Sequence, residues 1–431
     1  MSDVSFVRTE ILPEKAPPAS TVGIIGWARE KLFSSYLNSA ITAISLFAIF
    51  MLFKGLIPWF FSPTWVAASL GECREIIAAA GREEGACWGV IRDRWVQLIF
   101  GFYPVEFYWR PILVFILLFV ALAPILFSEY VPRKMIWFTA IYLFLMPWLL
   151  WGGSIWGPLM IMAGFAVCYF SYKAVNTVAG PILALIVSIL AMIIWWLFLA
   201  SLVASAINSI IPIELGVAIS RDFGGLLLSL TIGVVAIAIS LPLGIVLALG
   251  RQSDLPIVRA LCVGFIEFIR GVPLITLLFV ASTLLNIFLP PGTNFDIILR
   301  VIIMATLFSA AYMAEVIRGG LAALPKGQYE GADSLGLNYW QSQRLIIMPQ
   351  ALKISIPGIV SSFIGLFKDT TLVSIIGLLD PIGLSTAIRA DTAWTGIVWE
   401  LYGFIALMFW VFCFSMSRYS MYLERKLKTT N

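Results

Sequence analysis

Ten apolar stretches divide this chain, and they leave it few folds to choose from. They fall near residues 38–60, 111–127, 135–151, 156–172, 181–210, 224–249, 261–289, 297–317, 354–379 and 396–417. A helix of about 17–25 residues crosses the ~30 Å hydrocarbon layer of a bilayer. Inside hydrocarbon each backbone N–H and C=O must be paired within the protein, which a helix does locally. The expected fold is an all-α polytopic membrane protein of about ten transmembrane helices. Composition agrees: 61% of residues are hydrophobic and 12% charged, against about half and a quarter in soluble domains. Trp151-Gly152-Gly153 splits the 135–172 region into two short pieces. The 181–210 and 261–289 runs exceed what a span needs, leaving room for tilt or a kink.

Lys and Arg set the orientation. Arg29 and Lys31 precede the first run; Arg133, Lys134, Lys173, Arg251, Arg259, Arg318, Lys326, Arg344, Lys353, Arg418, Arg425, Lys426 and Lys428 follow. With ten spans all of them share one face, assigned to the cytoplasm, while Arg221 and Arg389 fall on the other. Both termini are then cytoplasmic. Residues 1–37, with Pro13, Pro17 and Pro18, read as a polar cytoplasmic tail, and 418–431 as a second. The 61–110 stretch falls outside as the largest external loop. It carries Cys73 and Cys87, a disulfide candidate in an oxidising compartment or else two free thiols. A composition shift near 211–223 separates an N-terminal membrane extension, 38–215, from a core over 220–417 whose spans carry interior charges.

In the core, Glu267 and Arg270 share a helix face and can pair, just before Gly271 and Pro273. Pro273 is expected to break or bend its helix. Glu315 and Arg318 repeat the spacing before Gly319-Gly320. Each pair reads either as an anchor at a helix end or as part of a polar path. Lys368-Asp369-Thr370-Thr371 sits near the middle of the 354–379 run, with Gly365 just before it. An ionisable group there is costly unless paired or facing an aqueous cavity. An ammonium beside a carboxylate suits a zwitterionic ligand; a buried ion pair to another helix is the other reading.

Tyr329 to Ala351, YEGADSLGLNYWQSQRLIIMPQA, is the longest non-hydrophobic passage in the C-terminal half. Glu330, Gly331, Ala332 and Asp333 begin one short helix, which Leu335-Gly336 closes. Asn338 can cap a second helix with Gln341 as its reciprocal partner. Met348-Pro349 is expected to stop that helix. The result is a two-helix hook held in water, which suits a docking surface and equally an ordinary amphipathic loop.

Several functions are excluded or displaced to other chains. The chain has no histidine, which argues against His-based metal sites and His general bases. No Gly-x-x-x-x-Gly-Lys-Ser/Thr phosphate loop occurs, so any ATPase is another chain. A lipid-modifying membrane enzyme lacks the interfacial His, Asp or Cys cluster it needs. A secondary amino-acid transporter working without an ATPase stays possible, although no internal repeat is evident. No nucleic-acid partner is expected.

The 329–351 stretch resembles the EAA loop of permease subunits of binding-protein-dependent ABC importers. Glu330, Ala332, Gly336, Ile346 and Pro349 fall at matching positions, while Gly331 and Met348 depart from the pattern. GGLLLSLTIGVV, FIEFIRGVPLITLLF, AAYMAEVIRGGLAALPKGQYEGADSLGL and GLFKDTTLVSIIGL extend the resemblance over roughly 220–420 to the polar-amino-acid group of histidine and glutamine permeases. Within it, the chain looks most like the M-type subunit of the general L-amino-acid importer of Gram-negative inner membranes.

The resemblance implies a type I ABC importer permease core formed by the C-terminal five spans, with the coupling loop over 325–352. Its implied partners are the lipid bilayer, a second related permease, a dimer of ATP-binding subunits and a periplasmic amino-acid-binding protein. ATP and magnesium would sit on the ATPase, with no cofactor on this chain. Glu330, Gly331, Ala332, Gly336, Ile346 and Pro349 would couple to the ATPase. Lys368, Asp369, Thr370 and Thr371, with Glu267, Arg270, Pro273, Glu315 and Arg318, are candidates for the substrate path.

Overall fold

The computed structural model describes residues 23–127, 129–288 and 296–427. Residues 1–22 of the polar tail, with its prolines, the end of the 261–289 run and Lys428 lie outside them, whereas residues 23–37 of the tail are described and include the short helix Gly23–Lys31. Nine described helices are long and apolar enough to cross a membrane: Tyr36–Phe60, Val105–Leu126, Arg133–Trp151, Trp156–Ala179, Pro181–Ile210, Gly225–Arg251, Ile297–Ala322, Tyr339–Ile376 and Trp399–Leu427. The seventh apolar run is a pair of helices, Pro256–Gly271 and Leu274–Phe288, bent by 100°. Val272 between them is extended, as the residue before a proline tends to be.

The bent pair makes the tenth crossing, and two contacts establish this. Ser220, just before the Gly225–Arg251 helix, donates its hydroxyl to Asp296, the N-cap of Ile297–Ala322. Arg251, at the far end of the first helix, lies 2.5 Å from Glu315 near the far end of the second. The two helices therefore run parallel, and the chain between them must return across the layer once. At 1.5 Å per residue each arm spans only about 22–24 Å, so neither crosses alone.

The described residues up to Gly89 form one compact unit and those from Val90 onward a second. In the first, Ser35 caps the Tyr36–Phe60 helix by accepting from the Asn38 N–H. At the other end, Arg82 donates to the Pro58 and Phe61 carbonyls, both at 3.0 Å, a cation placed where the helix dipole is negative. Cys73 and Cys87 are joined in a disulfide with Cα atoms 5.7 Å apart. Trp88 donates its indole N–H to the Phe60 carbonyl at 2.7 Å, closing a small cap over the helix end. The 61–110 stretch is thus no single loop. It contains the helices Leu70–Ala79 and Gly89–Phe100 and is shared between the two units. Ser69 caps the first of these helices by accepting from the Glu72 N–H at 3.2 Å.

In the second unit, the extension is stapled to the core near the Ser220–Asp296 contact. The ribbon Gly153–Ser154 pairs antiparallel with Glu214–Leu215. Tyr103 donates to the Leu150 carbonyl at 2.6 Å. Trp151 stacks on Phe223 and donates its indole N–H to Ser220 at 2.6 Å, so Trp151, Ser220 and Asp296 form a hydrogen-bonded chain. Gly101 and Gly225 both have positive φ, and a Cβ on Gly101 would lie 2.4 Å from Gly224 Cα; only glycine permits this backbone approach. At the opposite face, Tyr419 donates to the Leu126 carbonyl and Lys426 pairs with Glu129, both at 2.5 Å.

Asp380 lies beyond the end of the Tyr339–Ile376 span. Its fully buried side chain caps Pro381–Arg389, accepting from the Ile382 and Gly383 N–H groups at 3.1 and 3.0 Å. Burial outweighs these bonds and pushes the carboxyl up to about 6. An acid whose folded pKa exceeds its unfolded value, about 4, holds its proton more tightly in the fold. Its stabilisation is complete below about pH 4 and is lost as pH rises through about 6, a change of about 3 kcal/mol. Across that window the Asp380→Asn variant in detergent should lose less thermal stability than the parent. Superimposable pH–stability curves would contradict this.

Candidate functional site

The hook forms from local chemistry. Lys326–Ser334 is its first helix. Gly336 adopts φ +68°, the Gly336 N–H donates to the Asp333 carbonyl, and the Leu337 N–H reaches back to Ala332. This glycine-closed turn satisfies two terminal carbonyls at once. Asn338 then caps the next turn, and Gln341 returns the bond to the Asn338 N–H at 3.0 Å. Ala332, Ile347 and Ala351 are fully buried at the base, and Gln350 donates across the two arms to Gln328 at 2.9 Å. Glu330 and Gly331 are exposed and Ile346 is half-buried. The outer surface is apolar: Leu335 is 73% exposed, Trp340 71% and Leu345 64%, with Tyr339 beside them.

Pro349 does not stop the second helix. Tyr339–Ser342 passes through a wide π-turn at Gln343–Ile347 directly into Met348–Asp369. Pro349 occupies the first turn of that long helix, where a missing N–H costs nothing and the fixed φ is already helical. One arm of the hook is therefore the start of a transmembrane helix.

Near the hook's base lies an ion cluster. Glu315 accepts from Arg251 at 2.5 Å and from Arg318 at 3.0 Å, and Arg270 lies 3.7 Å away. Glu267 pairs with Arg251 at 3.0 Å. The Glu315–Arg318 pair forms within its helix as expected. Glu267 and Arg270 do not pair with each other among the described ion pairs. Each turns to a neighbouring helix instead, because the parallel helices bring Arg251 and Glu315 between them.

Asp369 closes the Met348–Asp369 helix, and the chain continues as a 3-10 turn, Thr370–Ile376, ending at Gly377 with φ +84°. Asp369 and Thr370 line a small cavity with Ile232, Leu278, Val301 and Val373. The level is shallower than mid-span: Ile232 lies about 10 Å along its helix from Gly225. Gly365 stays helical, so the break falls at Thr370. Thr370 and Thr371 donate their hydroxyls to the Phe367 and Lys368 carbonyls at 2.7 and 2.9 Å. Lys368 is exposed on this chain, and no described carboxylate lies within ion-pair distance of it. The structure thus brings Asp369 and Thr370 together with Pro273's helix, and it places Glu267, Arg270, Glu315 and Arg318 elsewhere.

A family model described as "Binding-protein-dependent transport system inner membrane component" matches residues 240–429, the stretch holding the hook and the ion cluster. The chain is 59% identical to the "Glutamate/glutamine/aspartate/asparagine transport system permease protein BztC" of Rhodobacter capsulatus, over 99% of each chain. It is 40% identical to the "Inner membrane amino-acid ABC transporter permease protein YhdY" of Escherichia coli, over 94% of this chain and 93% of that one. The chain belongs to the amino-acid ABC transporter permease family. This permease is a multi-pass inner-membrane transport subunit, and its family works with a separate ATPase. The "Probable glutamine ABC transporter permease protein GlnP" of Bacillus subtilis is 33% identical over 202 residues, which are 90% of GlnP but 46% of the permease. The other half of the permease lies outside that match, whereas BztC and YhdY align almost end to end.

Sequence reading missed two residues of this region. Arg251 entered it only as a topology marker, yet it is the cation that joins Glu267 to Glu315. Arg300, within the 297–317 run, is 8% exposed and was detectable as a charge inside an apolar segment.

Proposed function

We propose that the permease forms one half of an importer for dicarboxylic amino acids and their amides, paired with a second, related permease. The substrate class rests on BztC's description. A dimer of ATP-binding subunits supplies the energy, with ATP and magnesium on those subunits, and a periplasmic binding protein delivers the amino acid. The hook, the arginine cluster and both termini face the cytoplasm, in keeping with the crowding of Lys and Arg there.

The observation that carries this reading is the hook. Two complementary caps rigidify a short helix whose outward face is apolar and is left exposed among the described residues. Such a surface stays in water only when a partner protein takes it. Glu330, Gly336, Ile346 and Pro349 shape the hook, and Gly331 and Ala332 belong to its first helix. At the other end of the long helix, Asp369 receives the substrate ammonium. Lys368, exposed on this chain, faces the path or the second permease and favours a carboxylate. Glu267, Arg270, Glu315 and Arg318 spend their charges on one another and on Arg251, which makes them anchors of the path's helices, and Pro273 provides the bend beside it.

Affinity purification of the tagged permease in mild detergent tests the assembly. An ATPase and a second permease should follow it in stoichiometric amounts. A permease that purifies alone and, once reconstituted alone, takes up amino acid down an ion gradient would overturn the reading.

A further inference from the structure

Arg300 is a buried cation with no carboxylate partner among the described ion pairs. It sits one turn into Ile297–Ala322 and is 8% exposed. Its natural partner in helical spacing is Asp296, four residues before it. That carboxylate is committed elsewhere: one oxygen caps the Ile298 and Leu299 N–H groups at 2.9 and 3.1 Å, and the other accepts the Ser220 hydroxyl. No described ion pair includes Arg300. One terminal nitrogen donates to the Ser282 carbonyl at 2.7 Å, and the buried Nε makes no hydrogen bond. A guanidinium removed from water with part of its fork unused is expensive to keep.

Its place in the fold gives that expense a purpose. Arg300 directly precedes Val301, and Ser282 lies one turn beyond Leu278; Val301 and Leu278 both line the cavity with Asp369 and Thr370. The guanidinium therefore bridges the two helices about one turn from the cavity, on the side of Asp296. The closed cavity has room for little more than a water, so an amino acid enters only when these helices part; the arginine on one wall and the Asp369 carboxylate in the lining then offer it a cation for its side chain and an anion for its ammonium. Arginine is suited to such a task because its planar fork holds a carboxylate through two parallel bonds and an amide oxygen through one.

We infer that Arg300 reads the side chain of the transported amino acid, holding the distal carboxylate of glutamate and aspartate and, more weakly, the amide oxygen of glutamine and asparagine. This rests on the importer reading above. The site combines one charge-assisted contact from Arg300 with the Asp369 carboxylate and leaves the α-carboxylate to other groups.

The test is a ratio measured on the assembled transporter, reconstituted with its ATPase, second permease and binding protein. Uptake of radiolabelled glutamate and of radiolabelled glutamine is compared in the parent, Arg300→Gln and Arg300→Lys. Arg300→Gln should depress glutamate uptake about tenfold or more relative to glutamine, the size of one charge-assisted hydrogen bond. Arg300→Lys, which keeps the charge and loses the fork, should fall between. The ratio is insensitive to the amount of folded protein. An unchanged ratio in Arg300→Gln overturns the inference. If that variant transports neither amino acid, Arg300→Lys decides: a shifted ratio supports the inference and the parent's ratio overturns it. A parent complex that carries no amino acid at all would instead count against the importer reading.

Discussion

Replacing Gly336 with valine is expected to stop amino-acid uptake while leaving the permease in the membrane. Gly336 has φ +68°, and nothing lies within 4 Å of where its Cβ would stand. The substitution therefore creates no clash. Its effect is conformational: an L-residue in the left-handed region costs about 1–2 kcal/mol, and a β-branched one more. The chain relieves that strain by abandoning the turn, which breaks the Gly336–Asp333 and Leu337–Ala332 bonds. The apolar face of Leu335, Tyr339, Trp340 and Leu345 then no longer meets its partner in register. Uptake into proteoliposomes and ATPase stimulation by the binding protein should both drop at least about tenfold, the effect of roughly 1.4 kcal/mol in coupling. Immunoblots should show normal membrane levels, because Gly336 faces open space and the buried base of the hook, Ala332, Ile347 and Ala351, keeps its own packing against the spans. Gly331→Ala is the control: its Cβ also meets open space, its backbone is helical, and alanine favours a helix by up to about 1 kcal/mol. Full uptake by the Gly336→Val protein would remove the hook from the coupling path.

The second large effect is expected at Glu315. Its carboxylate serves Arg251, Arg270 and Arg318, and its side chain is 16% exposed. Glu315→Ala leaves Arg251 with Glu267 alone and Arg270 and Arg318 with no carboxylate among the described ion pairs. Removing one partner of a buried pair costs about 3–5 kcal/mol. The arginines here keep some access to water, so about 2–3 kcal/mol is the expected loss, on the order of 5 °C in Tm. Glu267→Ala removes a more exposed carboxylate and should cost less than about 1 kcal/mol. Equal Tm values for Glu315→Ala and Glu267→Ala would show that the cluster does not bind these helices together.

The contrast between the two sites explains what could be read from the sequence. The hook was legible residue by residue because its determinants are local: Asn338 and Gln341 lie three apart, and Gly336 closes a turn within its own helix. The ten apolar runs were legible for a similar reason, since each span satisfies its own backbone. The behaviour of Pro349 was not, because the π-turn that moves it into a first helical turn depends on Ile347 and Ala351 packing in the base. The partners of Glu267 and Arg270 were hidden because they are chosen by helix direction, a property of the folded chain. Asp369 could be singled out as costly, yet its depth depends on which residues of the neighbouring helices lie level with it. Arg300 could have been noticed, but its lack of a carboxylate among the described ion pairs follows only from Asp296 being engaged by Ser220.

The uninterrupted passage from the hook into the Met348–Asp369 helix makes that helix a lever. Its 22 residues, continuous through Pro357, make a helix of about 33 Å, with the hook at one end and Asp369 at the other. A tilt of about 5° imposed at the hook displaces the far end of such a rod by about 3 Å. That displacement is comparable to a hydrogen-bond length, enough to make or break a contact with a bound ammonium. Chemical energy released on one side of the membrane could thus be spent on a carboxylate near the other by rigid-body motion alone, with no change of secondary structure along the way.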